Sequence, residues 1–231
     1  MRDSVVQYRH EFKYIISDVQ MEILKKRIDG LIPLDPNCLQ TGSYVISSLY
    51  LDDYANSCYY ENENGVDPRE KYRIRTYNHN PDLLKLECKR KECEKTLKTS
   101  SNITSKEMSA LFTSRYEDFG ISKNVVKNKL FKDVLIRMFH PVVIVEYERI
   151  PYIYKNGNVR VTFDMNITSS DNVSRFLEFD YPRRPIMPVG FHLLEVKYDA
   201  YCPDFIYRAL QLDNLHRTAF SKYYLCRKIH L

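Results

Sequence analysis

Polar and apolar residues alternate with a period of two over eight stretches of the chain, at about 7–15, 43–52, 70–78, 83–92, 142–152, 158–167, 174–180 and 191–198. β-Branched and aromatic residues in that rhythm mark strands with one face buried. No helix regularly separates one strand from the next, so the pattern predicts an antiparallel sheet. Closing such a sheet on itself removes its exposed edges. The expectation is an α+β fold, mainly β: a closed antiparallel eight-stranded tunnel barrel with helices packed outside it.

Helical spacing occurs between and after the strands. Ser17 and Asp18 offer a cap for a helix running to Gly30, with Met21, Leu24 and Ile28 on its apolar face. Thr104-Ser105-Lys106-Glu107 has the form of a capping box ahead of Met108, Leu111 and Phe112. Residues 124–139 carry Val125, Leu130, Val134, Leu135 and Met138 before Pro141 stops the pattern. A last helix is predicted after Pro203, to about 217, with Phe205, Ile206, Ala209, Leu210 and Leu212 packing on the barrel. Pro182, Pro185 and Pro188 punctuate a loop, and no linker or repeat divides the chain, so residues 1–231 read as one domain.

Strand parity sorts the charges, because residues two apart share a face. Lys71, Arg73 and Arg75 share one, opposite Tyr72 and Ile74; Glu87, Lys89 and Lys91 share another. Arg9, Glu11 and Lys13 lie together, as do Arg160, Thr162 and Asp164, then Glu195 and Lys197; Arg149 follows Tyr147. One charged face is ordinarily the wet side of a sheet. Several strands with helices to cover their apolar faces point instead to an inward cationic lining. Buried cations need a counter-charge, and a polyphosphate-type anion supplies it through guanidinium forks and lysine point charges. Glu195, Glu11 and Glu87 on the same faces are hard oxygen donors suited to Mg²⁺ or Mn²⁺ beside phosphate, or carboxylates that hold the cations in place.

Bulk composition changes little. With 35 Lys and Arg against 30 Asp and Glu, position must decide what binds. The six cysteines, at 38, 58, 88, 93, 202 and 226, form no CxxC pair. With no apolar leader core after MRDSVVQYRHEFKY and no membrane-length apolar run, they suggest free thiols and a cytoplasmic location.

The strings RHEFKY, SSLYLDD, KYRIRTY, LECKRK, VEYERIPY, VRVTFDMNI, LLEVKYD and FSKYYLC, in this order from about residue 8 to 226, resemble the VTC domain. That is the polyphosphate-polymerase branch of the triphosphate tunnel metalloenzymes, or CYTH-like proteins. The resemblance implies a tunnel open at both ends, in which ATP and a metal ion, commonly Mn²⁺, lengthen an inorganic polyphosphate chain. It implies that Arg73 and Arg75 grip the nucleotide phosphates, with Lys13, Lys89, Arg149 and Arg160 as further phosphate ligands. Glu195 is similar to the metal-binding glutamate, and Lys222 resembles a late lysine near the tunnel mouth, following the C-terminal helix. Parity alone adds Lys71, Lys91 and Lys197 as substrate contacts.

One departure bears on function. Many hydrolytic tunnel enzymes open with E-x-E-x-K, whereas this chain reads Arg9-His10-Glu11-Phe12-Lys13. Arg9 removes a metal ligand and adds an anion contact, which suits building a phosphate chain over cutting it. His10 lies on the opposite face from Lys13 and is expected to be structural or exposed. The expected ligands are ATP and inorganic polyphosphate, with no nucleic acid and no membrane segment of its own. Metal-dependent hydrolysis of triphosphate or nucleoside triphosphate, with Glu11 or Glu87 activating water, and a non-catalytic polyphosphate-binding module stay open as alternatives.

Overall fold

A computed structural model of the chain describes residues 8–113, 124–212 and 215–231. Residue 7 of the first predicted strand and residues 213–214 of the last predicted helix lie outside them. The strands are β1 (His10–Ser17), β2 (Tyr44–Asp52), β3 (Arg69–Tyr77), β4 (Lys85–Glu92), β5 (Lys95–Asn102), β6 (His140–Tyr154), β7 (Val159–Ser170), β8 (Arg184–Pro185) and β9 (Phe191–Tyr198). They form one antiparallel sheet in the order β1-β9-β7-β6-β2-β3-β4-β5, with the two-residue β8 added on β7.

The sheet curls until its edge strands meet. Arg9 and Thr96 exchange backbone hydrogen bonds of 3.2 Å in each direction. Closure is thus a single bridge instead of a full ladder. Farther along β1, the chain before the last helix takes over the edge: Tyr14 bridges Arg217, and the Thr218 N–H donates to the Lys13 carbonyl.

Helices α1 (Asp18–Ile28), α2 (Ser57–Glu63), α3 (Ser105–Thr113), α4 (Val125–Arg137) and α5 (Asp204–Ala209) cover the sheet, and α6 (Lys222–Lys228) ends the chain. Ser17 and Gln20 complete a capping box on α1, and Thr104 with Glu107 forms one on α3. The core lies mostly outside the curled sheet. Leu49, Leu51, Tyr72, Ile74 and Leu86 pack with Met108, Leu111, Leu130 and Val134 of α3 and α4. Val161, Phe163, Leu194 and Val196 pack with Met21, Leu24 and Ile28 of α1 and Ile206 of α5. Among the described residues no helix is long and apolar enough to cross a membrane. All six cysteines are free.

Several expectations need correction. Residues 174–180 are not a strand: Val173–Arg175 is a 3₁₀ turn, Phe176 is buried, and Phe179 takes a left-handed backbone (φ 57). The alternation of aromatics there anchors a loop that Tyr181 and Arg183 tie to Glu146. The strand it displaced from the count is β5, whose sequence KTLKTSSN is too polar to show the period. The helix after Pro203 stops at Ala209, and Lys222 opens α6 instead of following the last helix. On α4 the buried stripe is Val126, Leu130 and Val134, four residues apart, so Val125, Leu135 and Met138 face solvent. Pro141 lies inside β6, at the bulge opposite Leu51.

Candidate functional site

The inner faces of the strands enclose a cavity of about 550 Å³. Fourteen Lys and Arg side chains line it, against the four carboxylates Glu11, Asp35, Glu94 and Glu195. Strand register places them. Lys71 sits opposite Lys89, Arg73 opposite Glu87 and Arg69 opposite Lys91 across β3 and β4. Lys13 faces Glu195 and Glu11 faces Lys197 across β1 and β9; Arg149 faces Asp164 across β6 and β7.

Two buried carboxylates organise the lining. Glu87 (1% exposed) accepts from Arg73 at 2.7 Å and Lys98 at 2.8 Å, with Arg75 at 3.8 Å. The phenol oxygens of Tyr50 and Tyr147 accept from Arg73 and Arg75 at 2.9 and 3.4 Å, so both guanidinium groups are held over the cavity. Glu195 (4% exposed) lies among Lys222 at 2.8 Å, Arg149 at 3.4 Å, Lys13 at 3.7 Å and Lys197. Asp164 is fully buried next to it, in a two-pronged bond with Arg149 (2.6 and 2.7 Å) and 2.6 Å from Lys222. Because Lys222 belongs to α6, this set pins that helix to the wall. Lys13 also donates to the Phe220 carbonyl at 2.7 Å. Glu11 sits between Lys89 (2.5 Å) and Lys197 (3.4 Å).

Burial pushes Glu11, Glu87 and Glu195 upward, but the surrounding Lys and Arg outweigh it and hold all three well below the usual carboxylate range. Burial pulls the Lys71 and Lys89 ammonium groups down to about 7 and Lys197 to about 8, with neighbouring cations adding to the effect. For Lys222 burial acts the same way, yet Asp164 and Glu195 raise it above the ordinary lysine value.

Among the described residues, Arg9, Arg69, Lys71, Lys91, Arg160 and Arg217 have no carboxylate within ion-pair distance, although all line the cavity. Lys71 donates to Asn62 at 2.7 Å and reaches Ser221 at 3.4 Å. The Thr162 hydroxyl, also on the lining, is buried with no hydrogen-bond partner. A buried donor without a partner costs roughly 1–3 kcal/mol.

The three glutamates do not converge. Glu87 stands with its own cations, whereas Glu11 and Glu195 share Lys197 between them. Among the described residues no group of three or more His, Cys, Asp or Glu side chains assembles that could hold a metal. Glu195 lies among the most cations of the three, and both its oxygens are engaged, Oε1 by Lys222 and Oε2 by Lys197 and Arg149, so a divalent cation there would displace such a bond and take its remaining ligands from elsewhere.

Residues 8–230 match the VTC domain family model. The chain belongs to the VTC domain family. No curated protein matches it. Among solved structures, the PH1819 protein from Pyrococcus horikoshii OT3 is similar, with a TM-score of 0.49 and 16% identity, over 96% of this chain and 99% of that one. The PH1012 protein from the same organism has a TM-score of 0.45 and 12% identity, over 90% of this chain and 94% of that one.

In this VTC domain, thirteen of the fourteen residues singled out from sequence line the one cavity; Glu87 lies behind it, holding Arg73 and Arg75. His10 is outside, stacked on Tyr198 with ring centroids 5.0 Å apart. Sequence reasoning missed Lys98, because β5 went unrecognised, and Arg69 and Arg217, which flank recognised elements. Extending the KYRIRTY parity two residues back finds Arg69. Nothing local marks Arg217.

Proposed function

We propose that this VTC domain transfers the γ-phosphoryl group of ATP to the end of an inorganic polyphosphate chain held in the cationic tunnel. The observation that carries this reading is the imbalance of the lining: fourteen cations, four carboxylates, and six of the cations without a carboxylate partner among the described residues. An extended polyanion is the ligand that neutralises it.

The terminal phosphate oxygen of the chain is already ionised near neutral pH, so it needs no general base. It forms a new bond to the γ phosphorus while the bond from that atom to the β–γ bridging oxygen breaks, and ADP leaves with the electron pair. Arg73 and Arg75 spread the charge on the transferred group, and Lys13, Lys89, Arg149 and Arg160 align donor and acceptor. Lys71, Lys91, Lys197, Lys222 and Arg9 extend the grip along the chain. Mg²⁺ or Mn²⁺, held by Glu195 and phosphate oxygens, would neutralise further phosphate charge when bound.

Transfer is favoured over hydrolysis because Glu11 and Glu87, which would have to activate water, are both held by cations. Incubation with ATP and Mn²⁺ followed by a polyphosphate-staining gel tests the reading. A ladder of products is expected. Orthophosphate alone would replace transfer with hydrolysis, and tight binding without turnover would leave a binding module.

A further inference from the structure

The lysines that line the cavity divide by partner. Lys13, Lys89, Lys98, Lys197 and Lys222 each have a carboxylate within ion-pair distance. Lys71 and Lys91 have none among the described residues. A carboxylate against an ammonium group favours the proton and covers the nitrogen, so a paired lysine is a poor nucleophile. Lys71 stands apart from Lys91 as well. Burial pulls its amine to about 7, and Arg69 on its own strand, Lys89 on β4 and Lys13 on β1 push the same way, against the Cys58 thiol of α2. Burial lowers Lys91 too, but the Glu94 and Asp67 carboxylates oppose the shift.

The immediate neighbours of the Lys71 Nζ are uncharged. Asn62 Oδ1 of α2 accepts from it at 2.7 Å, Ser221 Oγ ahead of α6 lies at 3.4 Å, and the Tyr223 ring centroid is 4.9 Å away. A neutral amine can donate both hydrogens to those two oxygens and keep its lone pair for an electrophile. At pH 7.4 an ordinary lysine is neutral in about one part in 10³, whereas an amine at about 7 is mostly neutral. The less basic amine is the weaker nucleophile, as it is among thiolates, which offsets part of the gain and leaves roughly tenfold. Delivery adds to this. Lys71 is half-buried on the cavity wall, Arg69 and Arg73 flank it on the same face of β3, and Lys89 stands opposite. Those cations concentrate small phosphate-bearing molecules where the amine stands.

We propose that Lys71 is a modification site for acyl phosphates, whose phosphate the lining cations hold while the Lys71 nitrogen attacks the acyl carbon. The bond that forms is the amide C–N bond. The bond that breaks joins the acyl carbon to the phosphate oxygen; phosphate leaves with the electron pair, and the proton on nitrogen passes to water. This rests on the reading of the tunnel as a phosphate-binding site. It adds that an empty tunnel is marked and a filled one is not, because a bound polyanion covers Lys71. Acylation in turn removes one cation from the path of the polyanion.

The test incubates the full chain with subsaturating acetyl phosphate, with EDTA present so that no metal-dependent transfer competes, and maps acetyl groups by mass spectrometry. Lys71 should be acetylated about tenfold faster than Lys26, which is exposed on α1. Saturating tripolyphosphate should suppress the reaction at Lys71 by about tenfold and leave Lys26 unchanged. The rate at Lys71 should stop rising by about pH 8, whereas an ordinary lysine still gains roughly tenfold per pH unit there. Asn62→Asp supplies a carboxylate where the amide oxygen stands, so it should slow the reaction severalfold at pH 7.4 and carry that levelling point upward. Weaker phosphate binding alone would not move the levelling point. Binding of tripolyphosphate shows that this variant is folded, and the pH profile of the unaltered protein decides by itself where it is not. Acetylation of Lys71 no faster than Lys26, or a rate that keeps rising to pH 10, overturns the modification site. Calorimetry with tripolyphosphate keeps the two readings apart: binding without selective acetylation leaves the tunnel reading in place, and failure to bind the unaltered protein overturns the tunnel reading itself.

Discussion

The two carboxylate sets, around Glu87 and around Glu195, have similar membership and different reach. Glu87 gathers Arg73, Arg75 and Lys98 from three consecutive strands, β3 to β5. Its bonds are local and leave the guanidinium faces over the cavity. Glu195, with Asp164, gathers Lys13, Arg149, Lys197 and Lys222 from β1, β6, β9 and α6, so its bonds span the chain. The inner face near α6 is also apolar: Tyr50, Val143, Val145, Leu193, Tyr223 and Cys226 belong to one buried cluster. The difference teaches that the first set presents cations to the cavity, whereas the second also locks the last helix into the sheet.

Removing Asp164 should break the second set most severely. Asp164→Ala leaves Arg149 and Lys222 short of counter-charge, and stripping one partner from a buried ion pair costs about 3–5 kcal/mol. Urea unfolding should show a loss of that size; a loss below about 1 kcal/mol would mean the set does not hold the helix. Arg73→Ala should behave differently, with the fold kept and polymer synthesis reduced on the order of 10²–10³-fold, as for one transition-state cation. Unchanged synthesis in the folded variant removes Arg73 from the catalytic group.

A smaller effect comes from protons. Lys71 and Lys89, pulled to about 7, and Lys197, pulled to about 8, hold fewer protons folded than unfolded between those values and about 10.4. The ligand-free protein should therefore gain stability as pH rises through that window. A bound polyanion favours the charged lysines, so tripolyphosphate binding should take up protons and weaken by about tenfold between pH 7 and pH 9. Calorimetry in two buffers of different ionisation enthalpy reads the uptake directly; no buffer dependence at pH 8 contradicts it. Smallest of all is Lys98→Met. This side chain is 35% exposed, the wettest of the Glu87 set, and its loss should change unfolding free energy by under about 1 kcal/mol. A larger cost would make the Glu87 set as structural as its counterpart.

The site was legible where strand parity is strong. KYRIRTY displays alternate cations against Tyr72 and Ile74, and those two are buried while Arg73 and Arg75 line the tunnel. The same rule failed for RFLEFDY, where Phe176, Phe179 and Tyr181 anchor a loop and no neighbouring strand supplies a ladder. It was silent for KTLKTSSN, where both faces are polar, one facing the tunnel and the other only thinly covered. Helix α6 escaped because its seven residues are too few to show a period.

By itself, then, the sequence determined which residues share a face, the family, and the cationic character of the interior, because side-chain alternation is a local property of extended backbone. Only the tertiary structure decided which carboxylate meets which cation, that Lys222 enters the wall from the last helix, and that Lys98 joins Glu87. Those outcomes depend on register and closure between strands far apart in the chain, and no local pattern encodes them.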